Sequence, residues 1–232
     1  MPTGPLSRVL DAMENAATAA ARPVPRLVAV GKAREAGEIA TLAAEWAALR
    51  PGATLAFGEN YVQEALSKVA ALAGRDVEWH LIGHLQSNKA GLAASLFDWV
   101  QSVDRPKLVA ALADARDPAR PPLNVLIQIN VEAEEGKHGC TPAEVPALAA
   151  AITADPALAL RGLMAIPEPH EDPERRRAAF AAMHALYEAL RAEHPAVDTL
   201  SMGMSDDFEL AIAEGATMVR VGTALFGPRA RD

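Results

Sequence analysis

The sequence predicts a single (β/α)8 TIM barrel, and three features of the 232-residue chain support that fold class. Eight short apolar segments alternate with amphipathic segments of helical periodicity. No low-complexity linker or shift in composition divides the chain, so we expect one domain over 1–232 with the barrel at about 26–227. Strict alternation of strand and helix implies parallel strands with right-handed crossovers, and eight such units close into a barrel of about this size. An open doubly wound sheet is the alternative, because periodicity does not reveal closure.

The first elements are a helix and a buried strand. Apolar residues at helical spacing predict an amphipathic N-terminal helix at about 5–21. Pro23 and Pro25 then block a helix, and the β-branched run 27–30 predicts a strand that is buried on both faces.

The remaining elements follow from the same criteria. Further strands are predicted at 54–57, 79–82, 98–103, 124–131, 160–166, 199–202 and 217–221. Helices are predicted at 35–49, 61–72, 107–115 and 172–193. A short helix is predicted to end near Leu96, and two more are predicted to begin at Thr141 and at Ser205. Thr141 and Glu144 predict a capping box, and Asn60 and Ser205 are expected to be helix N-caps because their side-chain oxygens accept hydrogen bonds from a first turn.

Composition and charge exclude several classes of function. The chain is 50% hydrophobic but only 4% aromatic, so we expect an aliphatic core. A formal net charge of −8 argues against nucleic acid and anionic membranes as partners. Cys140 is the only cysteine, which excludes an intrachain disulfide and suits a reducing compartment. With neither a signal peptide nor a membrane-spanning run recognised, we expect a cytoplasmic protein.

The end of the first predicted strand carries Lys32. Functional groups of a TIM barrel lie at the carboxyl ends of the strands, and Lys32 follows the strand directly after Gly31. A lysine held there is partly desolvated, which disfavours the ammonium form and leaves an amine able to attack a carbonyl. The alternative is that Lys32 only marks the exit of the strand into solvent.

The ends of the last two predicted strands carry a second group of candidates. In this architecture the loops after these strands commonly bind phosphate. Gly203 and Gly222 let the backbone approach an anion, and Ser201, Ser205 and Thr223 supply hydroxyl donors. Taken singly, Ser205 could be only a helix cap and Thr223 only the end of a strand.

Closure of the barrel connects the two groups of candidates. It makes the first and last strands neighbours, so Lys32 and Arg220 would face the same mouth. An amine beside a phosphate cradle predicts a site for a phosphorylated aldehyde.

Several motifs together resemble the pyridoxal phosphate homeostasis protein family, over a match from about Arg26 to Gly227. The motifs are Leu27-Val-Ala-Val-Gly-Lys32, Phe57-Gly-Glu-Asn-Tyr-Val-Gln-Glu64, Trp79-His-Leu-Ile-Gly-His-Leu-Gln-Ser-Asn-Lys89, Gly162-Leu-Met-Ala-Ile166, Leu200-Ser-Met-Gly-Met-Ser-Asp-Asp207 and Met218-Val-Arg-Val-Gly-Thr-Ala-Leu-Phe-Gly227. The longer motifs are very specific in combination. One departure is Gly31, which stands where the family often has serine before the lysine.

The resemblance implies the barrel of the alanine racemase N-terminal domain, with pyridoxal 5′-phosphate (PLP) held by Lys32 as a Schiff base. Arg220 would face the pyridine nitrogen. Asn60 would be a pocket residue, and His80 would either line the cofactor or be a hydrogen-bonded core histidine. Two segments would hold the phosphate through backbone and hydroxyl groups, and their residues are Ser201, Met202, Gly203, Ser205, Gly222 and Thr223.

The resemblance also implies a non-catalytic carrier that buffers PLP and supplies it to apo PLP-dependent enzymes. Arg220 cannot hand a proton to the ring nitrogen, and a neutral ring is a weaker electron sink. Tyr61 and Tyr187 are the only tyrosines, and we assign both to packing, so Lys32 is the only candidate base. We therefore expect no catalytic residue. The alternative is a small PLP-dependent amino-acid racemase or decarboxylase.

We expect no metal ion and no strong self-association. His80 and His84 do not share a helix face as a metal-binding pair would, because His80 falls within a strand and His84 follows Gly83. The chain is expected to be a monomer or a weak homodimer.

Overall fold

Eight parallel strands close into a barrel in the computed structural model, which describes residues 4–132, 136–168, 170 and 172–228. The strands are β1 (Arg26–Val30), β2 (Leu55–Glu59), β3 (Val77–Leu81), β4 (Trp99–Val103), β5 (Leu123–Ile129), β6 (Leu158–Ala165), β7 (Thr199–Ser201) and β8 (Met218–Val221). Each strand pairs with the next, and Val28 of β1 pairs with Arg220 of β8 to complete the ring. Closure confirms the predicted barrel and rules out the open sheet.

Helices cover the outside of the barrel. They are α1 (Pro5–Ala19), α2 (Ala36–Leu49), α3 (Val62–Ala71), α4 (Ala90–Leu96), α5 (Pro106–Ala115), α6 (Val145–Thr153), α7 (Pro173–Glu193), α8 (Phe208–Ala213) and α9 (Thr223–Phe226). The predicted N-terminal helix is α1, which packs against α8 and α9. The sequence did not indicate α9, since one helical turn is too short to show a period. Among the described residues, no helix combines the length and apolar character needed to span a bilayer.

The core has two layers, because successive strand residues point to opposite faces of the sheet. An inner cluster fills part of the barrel and consists of Val28, Ala56, Trp99, Leu126, Met164 and Met218. A larger cluster lies between the strands and the helices, and its bulkiest fully buried members include Phe57, Phe97 and Phe180. The strand end at Lys32 is therefore anchored by apolar packing on both sides of β1.

The helix caps agree with the sequence in part. Thr141 and Glu144 form the predicted capping box, which here opens a short 3₁₀ turn before α6. The prediction that Ser205 caps the next helix is wrong, because α8 begins at Phe208 and its N-cap is Asp207. The Asp207 carboxylate accepts a 2.6 Å hydrogen bond from the Met204 amide, which closes the turn before α8.

The prediction that Asn60 caps α3 is also wrong. The N-cap of α3 is Tyr61, and its side chain makes no capping hydrogen bond. The backbone of Asn60 instead packs closely on Gly83, where a Cβ atom would lie 2.2 Å from the Asn60 carbonyl oxygen. That contact fixes Asn60 in the turn after β2 and leaves the cap position to Tyr61.

Candidate functional site

A pocket of about 190 Å³ opens at the mouth of the barrel where β1 meets β8. Its walls come from the ends of these strands and from the loop after β7, and its lining residues are Val30, Lys32, Arg34, Met204, Ser205, Asp206, Arg220, Gly222 and Thr223. The expectation that Lys32 and Arg220 face one mouth is thus met by the geometry. Ser205, Gly222 and Thr223, which the sequence assigns to the phosphate site, line the same pocket.

Lys32 is half-buried in the turn that follows β1. Its Nζ lies 5.7 Å from the centroid of the Tyr61 ring, within the range of a cation–π contact. The next residue, Ala33, has a φ of 57°, and its amide donates to Glu64 at 3.3 Å. The hydrogen bond to Glu64 therefore ties this turn to α3, and the turn keeps the Lys32 amine beside the Tyr61 ring.

A buried ion pair supports the same turn. Lys68 of α3 donates to both carboxylate oxygens of Glu59 at 2.8 and 2.9 Å. The same ammonium donates to the carbonyl oxygen of Gly31 at 2.8 Å. Burial raises the pKa of Glu59, although the hydrogen bond and charge of Lys68 act to lower it. Lys68 thus links the end of β2 to the residue before Lys32.

Arg220 is a buried cation in the wall of the pocket, with 3% of its surface exposed. Its guanidinium donates to the Ser201 hydroxyl at 2.7 Å and to the Ala165 carbonyl at 2.8 Å. Burial lowers the pKa of Arg220 to about 10, against the charge of Asp207 that raises it. The guanidinium stays protonated at neutral pH, so it can donate hydrogen bonds to a ligand but cannot readily donate a proton.

Backbone amides converge on the Ser205 side of the pocket. The Ser205 hydroxyl oxygen accepts hydrogen bonds from the amides of Gly222 and Ala224 at 3.2 and 3.4 Å. Both contacts are long, so an anionic acceptor in the pocket would bind these donors more strongly than a hydroxyl does. A Cβ atom at position 222 would come within 3.3 Å of Val30, so glycine keeps this wall open. The residues present suit a phosphate group.

Gly203 and Met202 support the loop after β7 without lining the pocket. Gly203 has a φ of 91°, and a Cβ atom there would lie 2.6 Å from the Cβ of Ala211. Its carbonyl accepts from the Arg220 amide at 3.0 Å, which ties this loop to β8. Met202 is fully buried in the outer core. In this structure both residues shape the loop that carries Ser205, and their role in holding phosphate stays a prediction.

Ser201 and His80 lie inside the barrel rather than on the pocket wall. The Ser201 hydroxyl is fully buried and bonded to Arg220 and to Gln101. His80 is also fully buried, with Nε2 2.6 Å from Glu78 and Nδ1 2.8 Å from the Gln101 amide. His80 is therefore a hydrogen-bonded core histidine, and its contact with a bound cofactor stays a prediction.

Asn60 lines a different depression from Lys32. Its neighbours there include Tyr61, Gly83, His84 and His138. The two imidazoles of His84 and His138 stack with ring centroids 3.6 Å apart. Tyr61 lines this depression, and its ring centroid also lies 5.7 Å from the Lys32 Nζ atom.

Sequence reasoning missed two residues beside Lys32. Arg34 lines the pocket with a side chain that is 13% exposed, held by hydrogen bonds to the Gly227 carbonyl and to Glu38. Its place two residues after Lys32 is the signal that could have found it. Tyr61 was assigned only to packing, yet its ring lies 5.7 Å from the Lys32 Nζ atom. It follows β2 by two residues and lies 53% exposed at the mouth.

Comparison with known proteins gives this geometry a family context. A family model described as the alanine racemase N-terminal domain matches residues 6–230. A protein from Pseudomonas aeruginosa named pyridoxal phosphate homeostasis protein is 49% identical over 226 residues, covering 97% of this chain and 94% of that one. The protein of the same name from Escherichia coli K12 is 45% identical over 229 residues, covering 97% and 95%.

Solved structures share the fold. PipY from Synechococcus elongatus, whose structure has PLP bound, is 36% identical with a TM-score of 0.78, covering 93% of this chain and 100% of that one. An unknown protein from Bifidobacterium adolescentis is 34% identical with a TM-score of 0.84, covering 96% and 93%. Alanine racemase from Corynebacterium glutamicum is 20% identical with a TM-score of 0.65, and shares the fold over 95% of this chain and 62% of its own length.

Proposed function

The chain belongs to the pyridoxal phosphate homeostasis protein family, and we propose that it carries PLP without catalysing an amino-acid reaction. The observation that supports this most is the joint placement of Lys32 and Arg220 in one pocket with Ser205, Gly222 and Thr223. An amine, a cation and a cradle of amides and hydroxyls match the aldehyde, ring nitrogen and phosphate of this cofactor.

Each residue of the pocket has a proposed role. When bound, PLP supplies an aldehyde carbon to which the Lys32 nitrogen bonds as C=N, with loss of water. Ser205, Gly222 and Thr223 hold the phosphate through hydroxyl and backbone donors. Arg34 adds a positive charge to the same wall.

Arg220 is the residue that favours a carrier over an enzyme. It donates a hydrogen bond to the ring nitrogen and keeps that nitrogen unprotonated, because a guanidinium whose pKa is about 10 gives up its proton poorly. A neutral ring withdraws electrons weakly from a bound amino acid, so carbanion chemistry is slow.

One observation favours the alternative of a small racemase or decarboxylase. The Tyr61 ring lies near Lys32, so its phenol is a second group able to exchange a proton at the mouth. The 53% exposure of Tyr61 argues against efficient use, because an exposed phenol is neither desolvated nor fixed. Any residual turnover would be expected to depend on Tyr61.

The proposed partners are apo forms of PLP-dependent enzymes, in the cytoplasm, with the carrier acting as a monomer or a weak homodimer. A non-catalytic carrier must release its ligand, and the mouth at Lys32 opens to solvent. We propose that release occurs through this mouth, with neither nucleic acid nor a membrane surface involved.

Transfer and turnover assays on the same loaded protein test the proposal. The protein is loaded with PLP, freed of excess cofactor, and mixed with an apo PLP-dependent enzyme, with Lys32→Ala treated identically. We expect the wild type to restore activity above the Lys32→Ala control, and to show negligible turnover over a panel of amino acids. A racemisation rate of roughly 1–10³ per second for any common amino acid would contradict the carrier and support the alternative.

A further inference from the structure

A chain of polar side chains crosses the interior of the barrel and ends at Arg220. The Arg220 guanidinium bonds to the Ser201 hydroxyl at 2.7 Å, and that hydroxyl bonds to Gln101 Oε1 at 2.7 Å. Gln101 Nε2 lies 2.8 Å from His80 Nδ1. His80 Nε2 lies 2.6 Å from Glu78 Oε1. The hydrogen bonds therefore run unbroken from a cation in the pocket to a carboxylate on β3.

Every hydrogen bond in this chain has the same direction. Arg220 can only donate, so Ser201 accepts from it and donates its own proton to Gln101 Oε1. The amide group of Gln101 then faces His80, so Nδ1 is an acceptor and the imidazole proton lies on Nε2. That proton is donated to the carboxylate of Glu78, which can only accept. Aligned donors polarise one another, which strengthens each bond in a dry interior.

The surroundings hold the chain in one arrangement. The second amide proton of Gln101 points to the Met218 sulfur at 3.2 Å, which fixes the orientation of the amide. The His80 ring stacks on Trp99 with centroids 5.1 Å apart. Burial lowers the pKa of His80, although its hydrogen bond to Glu78 raises it, so the imidazole is neutral at physiological pH.

The two ends of the chain carry opposite charges. Glu78 pairs with Arg26, the first residue of β1, at 2.7 Å, and 23% of its side chain is exposed. Burial raises the pKa of Glu78, but the hydrogen bond from His80 and the positive charge of Arg26 act to lower it, and it lies below the ordinary value. Arg220 forms no ion pair with any residue in the described part of the chain. The carboxylate whose charge acts on Arg220 is Asp207, while the chain supplies hydrogen-bond acceptors for its guanidinium.

We propose that Ser201, Gln101 and His80 are positioning residues that fix the Arg220 guanidinium against its ligand, with Glu78 as the last acceptor of the chain. This inference rests on the proposed function, since the ligand of Arg220 is taken to be the ring nitrogen of PLP. Ser201 and the Ala165 carbonyl each accept from a different terminal nitrogen of the guanidinium, which leaves the remaining N–H groups for an acceptor in the pocket.

A pair of serine variants tests the positioning role. Ser201→Ala removes the link between Arg220 and Gln101. Ser102→Ala is the matched control, because its hydroxyl is buried on β4 and has no hydrogen-bond partner in the part of the chain that the structure describes. We expect Ser201→Ala to weaken PLP binding about tenfold and to shift the absorption maximum of the bound cofactor. Ser102→Ala should leave both within experimental error of wild type.

The protonation of His80 tests the direction of the chain without any bound cofactor. In the nitrogen NMR spectrum of the apo protein, the His80 proton should reside on Nε2, with Nδ1 unprotonated. Gln101→Glu should change this, because a carboxylate facing Nδ1 favours a proton there. A wild-type His80 that carries its proton on Nδ1 would overturn the proposed direction.

These outcomes separate the inference from the function on which it rests. If wild-type protein does not bind PLP, the proposed function fails, while the His80 proton still tests the chain. If wild-type protein binds PLP and Ser201→Ala matches Ser102→Ala in affinity and absorption maximum, only the positioning role is overturned. Parallel thermal unfolding of both variants shows whether a loss of affinity merely follows a loss of fold.

Discussion

Glu59 occupies the space where a side chain at position 31 would begin. A Cβ atom built on Gly31 would lie 2.5 Å from Glu59 Oε1 and 2.8 Å from the Cδ1 atom of Ile39. This explains the glycine directly before Lys32. The buried carboxylate, which pairs with Lys68, takes up the room that a side chain at position 31 would use.

Adding a single methyl group at position 31 should therefore destabilise the fold. We expect Gly31→Ala to cost about 1–3 kcal/mol in the free energy of unfolding, since packed cores tolerate added volume poorly. Adding Ile39→Val to this variant should recover part of the loss, because it removes the second close contact. Gly37→Ala is the control, as a Cβ atom at Gly37 in α2 meets nothing within 4 Å. Urea unfolding that ranks the two alanine variants equally would contradict the packing argument.

Breaking the ion pair behind Lys32 should cost more than breaking one at the surface. Lys68→Met leaves the Glu59 carboxylate buried without its cation, so we expect a loss of about 3–5 kcal/mol. Arg191→Met is the comparison, since Arg191 pairs with Glu188 at 3.7 Å with both side chains about half exposed, and should cost at most about 1 kcal/mol. Similar losses for the two variants, by chemical denaturation, would show that the buried pair does not hold the turn.

Stability should fall in mild acid because of His80. Burial lowers its pKa in the folded state from the ordinary 6.5, so below pH 6.5 the unfolded chain binds a proton that the folded chain does not. The contribution of neutral His80 is therefore complete above pH 6.5 and is lost as the pH falls, at no more than about 1.4 kcal/mol per pH unit.

Matched histidine variants isolate this effect. His80→Gln should flatten the dependence of the unfolding free energy on pH between about 6.5 and 5, whatever its effect on stability at neutral pH. His194→Gln, at the partly exposed end of α7, is the matched control variant. An unchanged slope in His80→Gln would place the acid sensitivity elsewhere.

Arg220 should control the electronic state of the bound cofactor. Arg220→Glu places a carboxyl group where the guanidinium stands, which favours protonation of the ring nitrogen and should shift the absorption maximum of bound PLP. Arg220→Gln keeps a neutral hydrogen-bonding group, so its spectrum should stay closer to that of the wild type. If Arg220→Glu binds PLP fully with an unaltered spectrum, Arg220 does not face the ring.

The fold could be predicted from the sequence because the patterns that indicate it are local. Each strand is a short apolar run between turn-forming residues, and strict βα alternation limits the topology to very few choices. The N-terminal helix and the capping box at Thr141 follow from patterns within one or two helical turns. The alternation of strands and helices could not show whether the sheet closes into a barrel. Closure depends on the pairing of β1 with β8, and these strands are far apart in the sequence.

The site could be predicted only in part because its contacts join residues that are far apart in the sequence. Ser205 looks like a helix cap in its own segment, but its hydroxyl bonds to the amides of Gly222 and Ala224 on another loop. Ser201 and His80 look like pocket residues, yet each points into the barrel interior and bonds to Gln101. Which face of a strand a side chain takes depends on register, and a shift of one residue reverses it.

Locating the covalent attachment of PLP tests the central claim most directly. The protein is loaded with PLP, reduced with borohydride, digested and mapped by peptide mass spectrometry, with Lys32→Ala treated in parallel. We expect the pyridoxyl mass on the peptide that contains Lys32, at close to one per chain, and none above background in Lys32→Ala. A reduced adduct found only at Lys89 or Lys137, and unchanged in Lys32→Ala, would contradict the proposed site.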